Sequence, residues 1–473
     1  MAFSSLSFIF IFLPLTIILY YLPFKGEKAN KFRTILLIIL SLVFYAWGAI
    51  QYLPLLVIMT LANYIFLRIW LKYRLKYNNF WTKATYVLAI ILNIAVLAWG
   101  KYFSDVLPLG LSFYLFKLLS ANFDLRKAAK ENSEAAEPLA YKEFLAEQDF
   151  SFRKYSLYIT FFPELISGPI SRFKNFTPQV DTARPSAAGL ARGLSRFLPA
   201  LFIKVLLADP VNALRTDLIS DFSNLAAAEA WLASILYTIY IYLDFASYSA
   251  MAISVGEMLG YEIPENFNEP YTATSITDFW RRWHMSLSFW FRDYVYIPLG
   301  GNRKGKARQL LNLTIVWALT GIWHGNHLNF LLWGLFYAVI LIFEKLFLLD
   351  AMNNWNKHLK RIITLIVTNF AWVLFAFSDK EQLFSFLGAM FGANGASNGE
   401  AIYVITGNVV LLVLAILAST PLLRKLREKL KTSKNYNTRP AFYLKLVIFA
   451  ILFVFSVSYM LDQSFASFLY FQF

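Results

Sequence analysis

The sequence predicts an all-α, polytopic membrane protein with about 11–12 transmembrane helices. Of its 473 residues, 58% are hydrophobic and only 15% are charged, whereas soluble domains have about 25% charged residues. A soluble fold cannot bury so much apolar surface, so lipid must solvate most of it. One span needs about 20 mostly apolar residues. The twelve candidate spans lie near residues 5–22, 34–48, 53–71, 85–100, 107–123, 193–208, 225–247, 309–323, 328–347, 362–378, 402–420 and 441–460.

Two further apolar stretches contain breaks. Residues 155–170 hold Pro163, Glu164 and Gly168, and residues 279–299 hold charged side chains among aromatic ones. Irregular, polar backbone persists at membrane depth only where protein or a wet cavity surrounds it. We therefore expect both stretches to be re-entrant or interfacial segments.

Basic residues cluster in alternate loops of the chain. The net charge of +15 fits the positive-inside rule if these loops are cytoplasmic. Both termini then face outside, provided that the two broken segments do not cross. The charge thus indicates a protein in the lipid bilayer, and no nucleic-acid partner is expected. The basic loops lie at 23–33, 68–83, 301–308 and 421–440, and the neutral or acidic ones at 49–52, 209–224 and 379–401.

We expect one transmembrane domain covering residues 1–473, without internal repeats. The first twenty residues lack a basic start and a small-residue cleavage site, so they are expected to be a retained span. Residues 124–154 mix acidic and basic side chains and are expected to form cytoplasmic surface helices; a solvated connector is an equal alternative. Residues 441–473 are expected to form a C-terminal helix and a terminal tail.

The residue types exclude several kinds of chemistry. The chain has no cysteine and only four histidines, which rules out disulfides, thiolate metal sites and cysteine-based acyl relays. We expect neither a metal site nor a permanently bound cofactor.

His324 is the first candidate for catalysis. It lies in the motif TGIWHG, with long apolar runs on both sides. Ionisable side chains at membrane depth are costly and usually functional, and an imidazole can accept a proton from a hydroxyl nucleophile. A core histidine hydrogen-bonded to a neighbouring helix is the alternative interpretation.

His284 is the second candidate and lies in DFWRRWHMSLSFWFRDYVYIPLGGNRKG. An interfacial belt of snorkelling arginines and aromatic rings would explain part of this motif. The density of charge exceeds what a belt needs, and Arg281 and Arg282 can contact the phosphates of a donor such as coenzyme A. Gly300 and Gly301 lack the spacing of a nucleotide-hydrolysis loop.

These two motifs closely resemble the membrane-bound O-acyltransferase family, in its bacterial branch for O-acetylation of polysaccharides such as alginate. The segments LPLGLSFYLFKLLS, FFPELISGPISRF and YLDFASYSAMAISVGEMLGYEIPENFNEPYTATSITDFW add to the resemblance, which covers nearly the whole chain in order. It implies a ring of helices around a tunnel that joins the two membrane faces. It also implies that His324 is the essential intramembrane histidine and that His284 is the second signature histidine.

The resemblance further implies the reaction and its partners. Acetyl-CoA would enter from the cytoplasm as the acyl donor, and a cell-envelope polysaccharide would be the acceptor on the other side. A separate extracytoplasmic SGNH-type transferase or esterase would complete the transfer. One departure from the family pattern is Asn326-His327 after the WHG motif; His327 can cap the next helix or line the outer mouth.

The carboxyl terminus is unusually aromatic. It ends in Phe468-Leu469-Tyr470-Phe471-Gln472-Phe473, whereas termini are normally polar. An interfacial anchor is the simplest interpretation. The ending also resembles the terminal motif of the small partner peptide in teichoic-acid D-alanylation, and that resemblance implies that the Tyr470 hydroxyl accepts the acyl group transiently.

Other functions remain as alternatives. D-alanyl transfer from a carrier protein to teichoic acid is the rival within the family. A transporter without chemistry would also explain intramembrane Arg and His residues, although it gives no reason for Tyr470. A polysaccharide polymerase would need a soluble nucleotide-sugar domain, and the sequence contains none.

Overall fold

The computed structural model describes residues 1–23, 26–77, 79–104, 107–432 and 438–462. Every regular secondary-structure element within these ranges is helical, which confirms the predicted all-α class. The residues form two compact units. The first unit holds residues 1–197 and 251–264, and the second holds residues 198–250 and the described residues from 265 onward.

The first unit begins with a π-helical turn, Phe8–Phe12, that continues into Leu13–Tyr20. Its longer helices follow as apolar stretches separated by short breaks, as the hydropathy pattern predicts. Their bounds are Gly26–Ala49, Leu53–Lys76, Phe80–Tyr102, Leu111–Glu134, Tyr141–Glu147, Phe152–Thr160, Phe162–Leu165 and Phe173–Phe176.

Two long helices, Ala187–Ile203 and Ala227–Leu259, contribute residues to both units. The remaining helices belong to the second unit, and several of them continue through single π-helical turns. Their bounds are Asp209–Leu218, Ile276–Trp280, Met285–Phe291, Lys306–His324, Leu328–Phe343, Leu349–Ala351, Lys357–Ala376, Lys380–Met390, Glu400–Gly407, Val409–Ala418, Leu422–Lys431 and Arg439–Asp462.

Seven helical stretches of the described chain are long and apolar enough to cross a membrane, or eight if one bent pair counts as a span. The sequence predicted about 11–12 spans. Part of the difference arises because Gly26–Lys76 is one continuous stretch of 51 residues that contains two predicted spans. The helix Phe8–Tyr20 is apolar but shorter. The seven stretches are Gly26–Lys76, Phe80–Tyr102, Ala187–Leu218, Ala227–Leu259, Leu328–Asn354, Lys357–Ala376 and Arg439–Asp462.

The predicted span near 402–420 is not one straight helix. It consists of Glu400–Gly407 and Val409–Ala418, which bend by 77° at their junction. Gly407 has the lowest helix propensity of any residue but proline, and the Asn408 side chain donates to the carbonyl of Val404 at 3.0 Å. An apolar run therefore does not distinguish a straight span from a broken one.

The break expected within 155–170 lies at Phe161, between two short helices. Glu164, in the second of them, is fully buried and forms an ion pair of 2.6 Å with Lys117. The Ser171 hydroxyl also donates to Glu164. Paired and hydrogen-bonded, the carboxylate can be retained in an apolar interior, so this polar segment is enclosed by protein as its sequence predicts.

The second unit contains a tight helical hairpin, Lys306–His324 and Leu328–Phe343. Glycines bring the two backbones together: a Cβ added to Gly334 would lie 2.4 Å from the Trp317 carbonyl oxygen. A Cβ on Gly321 would lie 2.4 Å from the Phe330 carbonyl oxygen. Small residues at helix interfaces allow this close approach within membranes, and the hairpin fixes the position at which its first helix ends.

Candidate active site

His324 is the last residue of the helix Lys306–His324 and is 3% exposed. Its imidazole lies among aromatic rings from its own hairpin and from the helix Lys357–Ala376. The ring centroids are 5.1 Å from Trp333, 5.0 Å from Phe375 and 6.2 Å from Phe330. The two closer rings meet the imidazole edge to face, the arrangement that aromatic quadrupoles favour.

His284 lies at the break in the predicted irregular segment and is 2% exposed. It precedes the helix Met285–Phe291 with a left-handed backbone, at φ 43°. Residues other than glycine rarely adopt this conformation, and it is common at functional sites. The side-chain oxygen of Asn266 lies 3.0 Å from Nδ1 of His284, and the Phe245 ring packs edge to face on the imidazole at 4.8 Å.

Trp323 connects the two histidines. Its ring centroid lies 4.6 Å from that of His324 and 6.4 Å from that of His284. Residues 40 positions apart in sequence therefore share one buried aromatic cluster within the second unit. Imidazoles can bind and move protons, so the cluster holds side chains suited to general acid–base chemistry.

The same cluster offers no evident place for a metal. Across the described ranges, no group of three or more His, Asp or Glu side chains is arranged to hold a metal ion.

The family assignment follows from comparison with known proteins. The family model for MBOAT, the membrane-bound O-acyltransferase family, matches residues 39–386. This chain belongs to that family. His284 and His324 both lie inside the matched range.

Bacterial relatives place this acyltransferase in the polysaccharide branch. It is 33% identical to the probable alginate O-acetylase of Pseudomonas aeruginosa over 83% of this chain and 75% of the relative. It is 31% identical to the protein of the same name from Pseudomonas putida over the full length of both. It is also 31% identical to the peptidoglycan O-acetyltransferase of Helicobacter pylori, over 84% of this chain and 80% of the relative. The acyltransferase is thus a multi-pass membrane enzyme of bacterial type.

The two arginines of the RRWH motif have different environments in this acyltransferase. Arg281 is exposed, whereas Arg282 is half-buried and pairs with Asp278 at 2.8 Å. The preceding helix, Ile276–Trp280, is held at its start by Glu344, which accepts hydrogen bonds from the backbone N–H groups of Ile276 and Thr277. Arg281 is therefore the motif arginine more accessible to a soluble ligand.

The two remaining residues that the sequence analysis singled out are His327 and Tyr470. His327 is exposed and takes the N-cap position of the helix Leu328–Phe343, but its side chain makes no capping hydrogen bond. Tyr470 lies outside the described residues, so its role stays a prediction from the sequence.

Sequence reasoning missed Asn266 as a site residue. Asn266 is 1% exposed and contacts His284 from a position 18 residues earlier in the chain. It lies in the segment ENFNEPY, which the sequence analysis used only for the family resemblance. A polar amide between apolar stretches was the available signal, because buried polar side chains need partners.

Proposed function

We propose that this acyltransferase moves acetyl groups from cytoplasmic acetyl-CoA toward a cell-envelope polysaccharide outside the membrane. The observation that supports it most is the burial of both signature histidines around Trp323 in a chain of this family. Relatives that are named for O-acetylation of alginate and peptidoglycan favour acetyl over D-alanyl as the transferred group. Alginate is accordingly the first polymer to test.

The proposed chemical step uses His324 as the general base. A ring nitrogen of His324 accepts the proton of an attacking hydroxyl while the hydroxyl oxygen bonds to the thioester carbonyl carbon. The carbon–sulfur bond then breaks, and the coenzyme A thiolate leaves with a proton returned from the imidazolium. Edge-to-face rings around His324 support this role, since they hold the ring in place and limit access of competing water.

The proposed donor site lies at Arg281, Arg282 and the basic turn at 301–308. This turn contains Arg303 and Lys304, both exposed, and the positive-inside rule assigns it to the cytoplasm. Coenzyme A carries phosphates that arginine can bind in bidentate fashion. The Asp278 pairing of Arg282 leaves Arg281 as the stronger candidate of the two for direct phosphate contact.

The proposed acceptor of the first transfer is Tyr470. A phenol with a pKa near 10 is a weak nucleophile at neutral pH, so it needs a base such as His324. The product is an acetyl-tyrosine ester, a reactive aryl ester that the serine hydroxyl of an SGNH-type partner can attack. Two short transfers of this kind suit a donor and an acceptor on opposite sides of a bilayer.

Purified protein incubated with labelled acetyl-CoA tests the proposal. Peptide mass spectrometry should find the label on Tyr470 in the wild type and not in His324→Ala. Normal polysaccharide acetylation by Tyr470→Phe would contradict the relay. Labelling by a D-alanyl carrier protein, with none from acetyl-CoA, would replace the acetyl assignment by D-alanyl transfer. Absence of acyl transfer from any donor would leave a transporter.

A further inference from the structure

Asn266 has an unusually complete set of partners for a buried amide. Its side-chain oxygen accepts from the Ser286 backbone N–H at 3.3 Å and from the Ser286 hydroxyl at 2.8 Å. Its side-chain nitrogen donates to the Ser249 hydroxyl at 3.0 Å. The same oxygen lies 3.0 Å from Nδ1 of His284. All four residues belong to the second unit.

These partners determine which way the Asn266 amide faces. A backbone N–H can only donate, so the amide atom beside the Ser286 N–H must be the oxygen. An amide oxygen can only accept. The His284 nitrogen beside it must therefore donate, which puts a ring proton on Nδ1; when the imidazole is neutral, Nε2 is its basic nitrogen.

We propose that Asn266 is a positioning residue that holds His284 in the Nδ1–H tautomer, so that Nε2 rather than Nδ1 is the nitrogen able to accept a hydrogen bond or a proton. The proposal rests on the proposed function in placing His284 at the active site. In this tautomer His284 accepts a hydrogen bond or a proton through Nε2 and does not donate through it. Substrate groups with an N–H or O–H are therefore the ones that His284 can orient.

The backbone around Asn266 supports the same role. Its carbonyl accepts from the Met285 N–H at 2.9 Å, and the Asn268 N–H donates to the Arg282 carbonyl at 2.9 Å. The segment that contains Asn266 thus forms backbone hydrogen bonds with residues before and after His284. These backbone hydrogen bonds offset the cost of the left-handed backbone at His284. They also keep the amide and the imidazole within hydrogen-bond distance.

Nitrogen NMR on the full-length protein, labelled with ¹⁵N-histidine and kept in lipid, measures the tautomer directly. The chain has only four histidines, and His284→Gln assigns the signal of His284 by its disappearance. We expect a protonated Nδ1 and an unprotonated Nε2 in the wild type, and a mixture of tautomers in Asn266→Ala. A wild-type signal with the proton on Nε2 would overturn the proposal, as would an unchanged Nδ1–H signal in Asn266→Ala.

Acyl transfer by the same variants provides the second measurement. Partners that orient metal-bound histidines typically affect metal affinity or activity by about 10–100-fold, and we expect a loss of that size in Asn266→Ala. Asn266→Asp keeps an acceptor oxygen beside Nδ1, so it should retain the tautomer and more activity than Asn266→Ala. Asn268→Ala is the matched control, because its side chain is exposed and only its backbone bonds to Arg282; it should resemble the wild type.

The two measurements separate this inference from the proposed function. The NMR signal needs no turnover, so a protein that does not use acetyl-CoA still reports the tautomer of His284. If Asn266→Ala does not fold, the proposal is tested by the wild-type and Asn266→Asp spectra, which should both show the proton on Nδ1 of His284. Equal activity of Asn266→Ala and Asn268→Ala would refute the positioning role even if the wild-type tautomer is the expected one.

Discussion

The hairpin that ends in His324 and the irregular segment that contains His284 hold equally buried histidines in different ways. His324 follows a regular helix whose packing depends on glycines and aromatic rings. His284 lies between short helices, and its neighbours include the amide of Asn266. Ring packing fixes where an imidazole lies, whereas a hydrogen bond from the imidazole to an amide oxygen also fixes which nitrogen carries the proton.

The difference suggests a division of labour between the two histidines. A hydrogen bond that fixes the tautomer of an imidazole suits a residue that orients a substrate, because the nitrogen that faces the substrate then has one defined role. The proposal gives the proton transfer to His324 and an orienting role to His284, and each role predicts a loss of a different size.

The largest expected effect is that of His324→Ala. General-base assistance contributes about 10²–10⁴-fold to a rate, so acetyl transfer should fall by that amount. The measurement is transfer of labelled acetyl, normalised to protein in the membrane. His284→Ala should be damaging but less complete, and a larger loss in His284→Ala than in His324→Ala would reverse the assignment of the two roles.

A smaller effect is expected from Gly334→Ala, which perturbs only the hairpin. The added methyl group would lie 2.4 Å from the Trp317 carbonyl oxygen, and overpacking of this kind costs about 1–3 kcal/mol. Thermal unfolding in detergent should show a lower midpoint, and transfer should weaken as His324 shifts. Gly388→Ala is the control, because its methyl group would make an ordinary contact of 3.5 Å with Ala393.

The same variant tests whether the two regions are separable. The ¹⁵N signal of His284 should stay unchanged in Gly334→Ala, since hydrogen bonds to Asn266 rather than the hairpin hold its tautomer. A shift of that signal would show that the packing of the hairpin also affects the tautomer of His284. The two histidines would then not be held independently.

The smallest effect is expected from the motif arginines. Arg281→Ala should raise KM for acetyl-CoA about two- to tenfold, because the net contribution of one hydrogen bond is about 0.5–1.5 kcal/mol. Arg282→Ala instead removes the partner of Asp278 and should mainly lower the unfolding midpoint. Kinetics at varied acetyl-CoA separate the two; an unchanged KM in Arg281→Ala would make both arginines structural.

Much of the fold follows from the sequence because the bilayer restricts the choices. Unpaired backbone groups cannot remain in hydrocarbon, so long apolar stretches must be helices, and the predicted spans at 85–100 and 441–460 lie within Phe80–Tyr102 and Arg439–Asp462. Hydropathy records how apolar a stretch is but not whether its helix axis bends, so the sequence did not predict the 77° bend at Asn408.

The candidate site also has features that the sequence predicts and features that only the folded chain reveals. The sequence by itself determined the all-helical class, through its long apolar stretches, and the family resemblance, through short continuous motifs that also make His284 and His324 the candidate site residues. Only the tertiary structure decided that Trp323 lies between the histidines, that Arg282 pairs with Asp278 and that Asn266 faces Nδ1 of His284. The physical reason is that these hydrogen bonds and ring contacts act over a few ångströms, and the distance between two side chains is set by how the helices pack rather than by their order in the chain.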